Sequence, residues 1–309
     1  MRAWLVGVLL LAGCGRYADF TLPPPVGPAR EGKWTWAPSP EPVLKNGGKY
    51  DSVDALNPEV WQATDGWSMT YSGWDGRVWR TLSAVSKDGV AWTKSDRVMI
   101  EPNPSTWEGN YIAANGFGPW YQAGTPPQIG DSRSRQVAVP RGPRGAWDEM
   151  GVGDPYIVGR YIFFLGQDRA RRQRLGVAEL RGGTWYKLAS NPILELGEPG
   201  AFDEKGLGEP AVWEQHGRWW MLYTGRDKKE WRRIGLAVSR DGIQWSRIPG
   251  PPIIDVGAEG TWNSRVVCDP HVVQQPDGSV RVYFGGGNKP QPAENLNGQI
   301  GVGVLRYGE

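Results

Sequence analysis

Cysteine and histidine are scarce in this sequence, and no excess of charge of either sign is present. Two cysteines and two histidines form no metal-ligand spacing of the HExxH or CxxC type. The 35 basic residues are balanced by 33 acidic ones, which argues against a general nucleic-acid binder. No long amphipathic helical pattern is visible, and an apolar share of 39% is too small for an integral membrane protein.

Glycine, proline and tryptophan are abundant instead. The chain has 44 Gly, 26 Pro and 18 Trp in 309 residues, a mixture that favours many short strands joined by tight turns. This length fits one large all-β domain or two ordinary ones.

The first 15 residues, MRAWLVGVLLLAGCG, are typical of a secretory signal. Arg2 precedes an apolar stretch too short to span a bilayer, and small residues precede Cys14. Residues 11–14, LAGC, resemble the bacterial lipobox, in which the cysteine is lipidated and becomes the first mature residue. An ordinary signal peptide or a short anchor is the alternative. Cys268 then has no intramolecular partner, which predicts an exported chain without disulfides.

This reading predicts three segments. Residues 1–13 are a signal peptide, residues 14–33 are the lipidated Cys14 with a Pro- and Gly-rich tether, and residues 34–309 are the folded domain. The expected location is the bacterial cell envelope, anchored by lipid at the outer membrane or on a periplasmic or extracellular face. The residue after the cysteine is Gly15 and not Asp, which resembles a signal for sorting to the outer membrane.

An internal repeat organises the folded domain. An aromatic residue followed by Asp, Glu or Asn occurs five times, at Tyr50-Asp51, Trp107-Glu108, Trp147-Asp148, Phe202-Asp203 and Trp262-Asn263. In four copies the sixth residue after the polar one is Asn or an acid followed by Pro, at Asn57-Pro58, Asp154-Pro155, Glu209-Pro210 and Asp269-Pro270. The second copy has Ala114-Asn115 there.

Each repeat continues with an apolar strand, an aromatic-rich strand ending in Gly, a third strand with a turn, and a fourth strand. Four antiparallel strands in each of five repeats predict a five-bladed β-propeller. The last repeat lacks a fourth strand, and residues 34–44, WTWAPSPEPVL, match one. We therefore expect this N-terminal strand to pair near residues 299–306 and close the ring, which removes an exposed sheet edge.

Blades of this kind, with Asp-Pro or Glu-Pro opening several first strands, resemble the five-bladed glycoside hydrolase superfamily, which includes families 43, 32 and 68 and the family 130 phosphorylases. The resemblance covers residues 34–309. It implies an acid on the first blade as base or nucleophile, a later Asp that orients, and a Glu one blade further on as general acid. Asp154 matches the orienting residue and Glu209 the general acid.

Asn57 departs from this pattern, because an amide neither accepts a proton nor forms a glycosyl ester. Asp54 is one replacement, and Asp269 on the fifth blade is another, which would form an acid/base pair with Glu209. Residues 57, 154, 209 and 269 begin first strands and should converge at the ring axis. The plainer interpretation is that each caps a turn by accepting backbone N–H groups.

Two basic loops should lie on the same face, QDRARRQR with Arg169 and GRDKKEWRR with Arg226. Arginine forks suit carboxylate, sulfate or phosphate groups, which predicts an anionic glycan or phosphate as co-substrate, unless the loops are simply solvated hairpins. Trp74 and Trp79 should both lie on this rim, where an aromatic face can stack on a sugar ring, although Trp79 equally fits a packing role. His271 should face the channel or the blade interior.

The sequence therefore predicts a monomeric envelope lipoprotein that handles carbohydrate, most simply as a glycoside hydrolase. A glycan-binding protein without catalysis and a phosphorylase-like enzyme are the alternatives. Its partners are a glycan and, through lipid, the membrane, with no nucleic acid. No cofactor is required, and the resemblance also allows calcium at the axis.

Overall fold

The computed structural model describes residues 16–106, 108–114, 121–124, 132–133 and 139–308. These residues form an all-β fold without a helix, so none of them belongs to a helix that could cross a membrane. The predicted signal peptide and Cys14 lie outside the described residues.

Antiparallel pairing groups the strands into successive units, which follow the sequence repeats. Unit 1 contains β3 (Asp54–Ala63), β4 (Gly66–Trp74), β5 (Trp79–Ser86) and β6 (Trp92–Lys94). Unit 2 contains β7 (Tyr111–Ala114), β8 (Tyr121–Gly124) and β9 (Ser132–Arg133). Unit 3 contains β10 (Gly151–Val158), β11 (Tyr161–Gln167), β12 (Gln173–Arg181) and β13 (Thr184–Leu188).

Unit 4 contains β14 (Gly206–Gln215), β15 (Arg218–Arg226), β16 (Arg232–Ser239) and β17 (Trp245–Arg247). Unit 5 contains β18 (Val266–Gln274), β19 (Val280–Gly287), β20 (Gln299–Gly308) and, from the N-terminal part of the chain, β2 (Lys33–Pro38). β2 pairs antiparallel with β20, with Trp34 opposite Tyr307 and Pro38 opposite Gly303. The predicted pairing of the N-terminal strand with the last repeat is confirmed.

Neighbouring units meet where the third strand of one touches the first strand of the next. Single parallel bridges join Trp79 to Tyr111, Gln173 to Gly206 and Arg232 to Val266. Since hairpins alternate direction, this arrangement places the start of every first strand and the loop between second and third strands at the same end of each unit.

The core lies between the units, so both faces of the inner strands are buried. In β11, Phe163 and Leu165 pack towards unit 4, while Ile162 and Phe164 pack in a separate cluster with Trp185. Burying such a side chain contributes about 1.5–3 kcal/mol. This explains why the second strands read as continuous apolar runs and not as alternating ones.

Residues 16–32 differ from the predicted tether. β1 (Tyr17–Ala18) pairs parallel with β13, and the Leu22 N–H donates to the Asp241 carbonyl oxygen at 3.0 Å. The Leu22 side chain is 2% exposed in the cluster with Trp219. The segment is therefore docked along units 3 and 4, because a few apolar side chains among its prolines find partners far away in sequence.

Candidate functional site

A β-bulge marks the residue before proline in the first strands of units 1, 3, 4 and 5. The backbone there adopts left-handed φ angles of 48° to 52°, at Asn57, Asp154, Glu209 and Asp269. Residues other than glycine rarely adopt this conformation, which costs about 1–3 kcal/mol and is concentrated at functional sites. The bulge also turns the side chain out of the ordinary alternation of the strand.

These four residues come together as the sequence predicts, and hydrogen bonds connect them in order. The Glu209 N–H donates to Asp154 Oδ2 at 3.3 Å, and the Asp269 N–H donates to Glu209 Oε2 at 3.1 Å. The Asn57 N–H donates to Asp269 Oδ2 at 3.2 Å. Each carboxylate thus accepts the backbone N–H of the next unit, so the capping interpretation holds for one oxygen of each acid.

Two cavities meet at this group of four residues. A cleft of about 790 Å³ opens where the loops between second and third strands lie, and the group forms part of its lining. A cavity of about 40 Å³ is lined by the same four residues together with Glu59, Tyr156 and His271. The cleft has the volume of a small-molecule or oligosaccharide site.

Asp269 is the most enclosed of the three acids, at 7% exposed. It accepts hydrogen bonds from Asn57 Nδ2 at 3.0 Å and from the Cys268 thiol at 3.2 Å. Burial raises the pKa of Asp269 well above its ordinary value, and the nearby charge of Glu209 raises it further. One carboxylate oxygen of Glu209 lies within 4.8 Å of one of Asp269.

Several cations at the cleft are paired with acids. Arg169, in the loop of unit 3, lines the cleft and binds both oxygens of Glu149, at 3.0 and 3.1 Å. Arg226 also lines the cleft and binds Gln173 Oε1 at 2.6 Å and Glu230 at 3.4 Å. Burial lowers the pKa of Arg226 to about 10. Both loops therefore lie where the sequence predicts, but their charges are largely balanced within the protein.

Trp79, and not Trp74, lines the cleft. The Trp74 ring is 6% exposed and stacks on the Trp79 ring at 5.4 Å. Its indole N–H faces Asn295 Oδ1 at 3.4 Å. The expectation that Trp74 stacks on a sugar is corrected, because its ring is buried against Trp79, which lines the cleft and is itself only 3% exposed.

Asp54 lies outside the group formed by Asn57, Asp154, Glu209 and Asp269. Its side chain is fully buried and accepts the backbone N–H groups of Asn295 and Gly298, both at 2.7 Å. It does not belong to the lining of the cleft. The structure therefore gives Asp54 a part in holding the 295–298 loop to unit 1, which corrects its expected place as a substitute for the missing acid.

His271 and Glu59 lie on the other side of the group, at the small cavity. His271 Nε2 is 2.9 Å from the Val60 carbonyl oxygen, and burial lowers the pKa of His271 to about 4. Burial raises the pKa of Glu59 to about 7. Of the two orientations predicted for His271, towards the channel or into the blade, the ring adopts the one at the channel.

Other residues of the cleft carry no repeated signal in the sequence. Glu294 and Tyr111 line it, and burial raises the pKa of both. The buried Arg232 donates to the Pro292 carbonyl oxygen at 2.6 Å and interacts with the charges of Glu209 and Asp269. Arg232 belongs to the basic loop GRDKKEWRR that the sequence places on this face, and Tyr111 is close to the Ala114 position of the second repeat, whereas Glu294 has no such signal.

One group within the described residues brings metal-ligand atoms together. Oxygen or sulfur atoms of Glu209, Cys268 and Asp269 lie within 4.8 Å of one another. Burial raises the pKa of the Cys268 thiol well above its ordinary value, and the Arg232 charge is adjacent. A neutral thiol and a nearby cation do not suit calcium, which takes six to eight oxygen ligands, and no step proposed below uses a metal.

Comparison with solved structures identifies the fold. A glycoside hydrolase has 15% identity and a TM-score of 0.66, over 87% of this chain and 92% of that chain. A β-1,2-mannobiose phosphorylase from Listeria innocua has 13% identity and a TM-score of 0.61, over 88% and 96%. An α-L-arabinofuranosidase from Lactobacillus brevis has 14% identity and a TM-score of 0.58, over 85% and 94%.

The fold of this chain is that of the β-propeller glycoside hydrolases. No protein-family model matches the sequence, and no curated protein is significantly similar to it.

Proposed function

We propose that this protein cleaves a glycosidic bond in the cleft, with Glu209 as the general acid. The observation that carries the proposal is the convergence of Asp154, Glu209 and Asp269, each on strained backbone, at a cleft of about 790 Å³. Like charges in a partly desolvated site repel one another, so their assembly is costly unless chemistry uses it. The shared fold of glycoside hydrolases is consistent with this use.

The acid pair supplies the proton. Burial and the neighbouring charge of Glu209 raise the pKa of Asp269 well above its ordinary value, so Asp269 holds the proton before substrate binds. Glu209 is half-buried and faces the cleft, whereas Asp269 is enclosed. Glu209 is therefore the member that reaches the leaving oxygen. Asp154 positions it by accepting its backbone N–H.

The spacing of the pair favours retention of configuration. One oxygen of Glu209 lies within 4.8 Å of one oxygen of Asp269, a contact too close for the separation of about 6.5–9.5 Å that leaves room for water between the carboxyl groups of inverting enzymes. General-acid catalysis requires that this proton pass from Asp269 to Glu209 when the substrate binds. The hydrogen bonds from Asn57 and Cys268 then stabilise the charged Asp269.

In the first step an Asp269 oxygen forms an ester with the sugar, the glycosidic bond breaks, and the leaving oxygen takes the Glu209 proton. In the second step water attacks the sugar and gives a proton to Glu209, which frees Asp269. Asn57 then orients the nucleophile and does not replace the missing acid.

A glycan-binding protein without catalysis is the second candidate. Asn57 stands where the resemblance expects an acid, and each of the three acids accepts a backbone N–H, which a purely structural role also explains. Phosphorolysis is a third route, supported by the fold shared with the mannobiose phosphorylase, although Arg169 and Arg226 are already paired with Glu149 and Glu230.

The experiment is a screen of the purified protein on envelope and plant glycans, including anionic ones, with and without phosphate. We expect reducing sugar released without phosphate, with the first-formed anomer retained when followed by NMR. Product formed only with phosphate would replace hydrolysis by phosphorolysis. Binding without any product would leave the glycan-binding protein.

We propose further that the units are blades of a closed five-bladed ring. The β2–β20 pairing supports closure, as does the hydrogen bond of 2.9 Å from the Ala55 N–H to the Gly298 carbonyl oxygen, which joins unit 1 to unit 5. Deleting residues 16–38 should then lower the melting temperature sharply. An unchanged melting temperature would reject closure by this strand.

The third proposal is that Cys14 is lipidated and holds the protein in the bacterial envelope, as the LAGC sequence at residues 11–14 supports. One or two acyl chains are sufficient for membrane attachment. Cys14→Ser should abolish incorporation of labelled fatty acid. Equal incorporation in both proteins would rule this anchor out.

A further inference from the structure

The docked N-terminal segment leaves almost no free chain between the folded domain and Cys14. The Lys187 N–H donates to the Arg16 carbonyl oxygen at 2.8 Å, and Tyr17 pairs with Lys187 in β13. Only Gly15 separates Arg16 from Cys14, and two fully extended residues span at most about 7 Å. A lipid on Cys14 would therefore be attached directly to the outer edge of unit 3.

The surface beside this edge combines arginine and aromatic side chains. The Arg181 guanidinium lies 5.9 Å from the Phe20 ring and 5.8 Å from the Tyr186 ring. The Arg160 guanidinium lies 5.6 Å from the Tyr161 ring. Aromatic rings and arginines with apolar stems are enriched where proteins meet the headgroup region of a bilayer.

This surface also carries a small positive excess. Arg160 and Arg181 share one buried acid, Glu179, and their side chains are 64% and 44% exposed. The exposed Arg16 and Asp19 add one charge of each sign. Anionic headgroups attract basic residues placed this close to a membrane.

We propose that the outer edge of unit 3 contacts the anionic bilayer surface and gives the protein a fixed orientation on the membrane. The contacting residues are Arg16, Tyr17, Phe20, Arg160, Arg181 and Tyr186. The proposal rests on the lipid anchor proposed above. The turns at Arg160 and Gly182 lie at one end of the strands of unit 3, and the cleft opens at the opposite end. The cleft therefore stays accessible to glycans outside the membrane.

Fluorescence quenching by lipid tests this orientation in the full-length, acylated protein. Ser190 follows the outer strand of unit 3 and Ser95 that of unit 1, and both are exposed, so Ser190→Cys and Ser95→Cys are a matched pair. Bimane labels the new thiol selectively, because acylation engages the Cys14 sulfur in a thioether and Cys268 is fully buried. Thr184→Cys and Thr64→Cys form a second pair in case the first folds poorly.

In phosphatidylethanolamine–phosphatidylglycerol vesicles with nitroxide-labelled lipid, we expect quenching several-fold stronger at Ser190 than at Ser95, and at Thr184 than at Thr64. Equal quenching within both pairs, in protein that floats with the vesicles, would overturn the orientation and leave the anchor intact. Protein that carries no acyl chain and does not float would overturn the anchor and the orientation together.

Discussion

Four of the five repeats in this chain supply two polar positions, and the structure uses the two positions in different ways. The acid after the aromatic residue is paired with a cation. Asp203 binds the Arg247 guanidinium at 2.7 Å and the Tyr223 hydroxyl at 3.1 Å, and Asp51 binds the Lys94 ammonium at 2.5 Å and the Tyr71 hydroxyl at 3.0 Å. The acid six residues later sits on strained backbone and faces other acids, as Glu209 faces Asp269.

This difference in surroundings distinguishes acids that stabilise the fold from acids that can take part in a reaction. A buried carboxylate with its own cation holds two strands together and has no proton to give. A carboxylate opposed by another one keeps a proton at higher pH, at a cost in stability, and can pass that proton to a ligand. Position in the repeat, more than residue type, decides which of these roles an acid has.

The largest effect on stability is expected at the paired position. Asp203→Asn keeps the shape but leaves the Arg247 charge without its carboxylate, and breaking a buried pair of this kind costs about 3 kcal/mol. Chemical denaturation measures the loss. Activity per folded molecule should remain at the wild-type level, and a loss of activity without a loss of stability would break the distinction between the two positions.

Glu59 differs from both kinds of acid, because burial alone, without a neighbouring acid or cation, accounts for its raised pKa. Its pKa is raised from 4.5 to about 7, so the native state holds a proton that the unfolded chain has lost. Stability therefore falls as pH rises from about 4.5 to about 7. Glu59→Gln removes this dependence and should be more stable than wild type at pH 8, by about 3 kcal/mol.

Denaturation at pH 4.5, 6 and 8 checks this prediction. The difference between the two proteins isolates Glu59 from His271, whose lowered pKa acts in the opposite direction. A difference that does not change with pH would show that Glu59 is ionised in the native state.

Asp269→Asn should reduce activity more than stability, which is the opposite of the effect expected for Asp203→Asn. Asn tolerates the left-handed backbone at φ 52°. Removing a carboxyl group opposed by Glu209 relieves repulsion, which offsets the hydrogen bond lost where an amide nitrogen replaces one of the two accepting oxygens, so the loss of stability should be smaller than for Asp203→Asn. Turnover should fall more than about 100-fold, because an amide forms no glycosyl ester. A stability loss as large as that of Asp203→Asn would place Asp269 among the structural acids.

The sequence predicts the features that repeat. The six-residue spacing from Asp148 to Asp154 and from Asp203 to Glu209 was sufficient to place both acids at one site, because equivalent positions in equivalent units converge. The predicted positions of Trp74 and Asp54 were wrong. Trp74 packs against Trp79 in its own hairpin and Asp54 against a loop from unit 5, and neither contact leaves a periodic pattern in the sequence.

Features that depend on distant contacts could not be predicted from the sequence. Leu22 lies in a proline-rich segment typical of a tether, and only its burial against Trp219 and the hydrogen bond to Asp241 dock it. Glu294 reaches the cleft through a loop of unit 5 that carries no repeated motif. Asn57 was identified, but its role as a donor to Asp269 requires the three-dimensional structure.

The central claim is that Glu209 delivers the proton, and its most direct test is turnover by Glu209→Gln on whichever glycan the screen identifies. Glu198→Gln, an exposed substitution of the same kind between units 3 and 4, is the control. We expect kcat to fall about 10²–10⁴-fold for Glu209→Gln, with glycan affinity and melting temperature nearly unchanged and with Glu198→Gln at the wild-type rate. Equal kcat for wild type and Glu209→Gln would contradict the account.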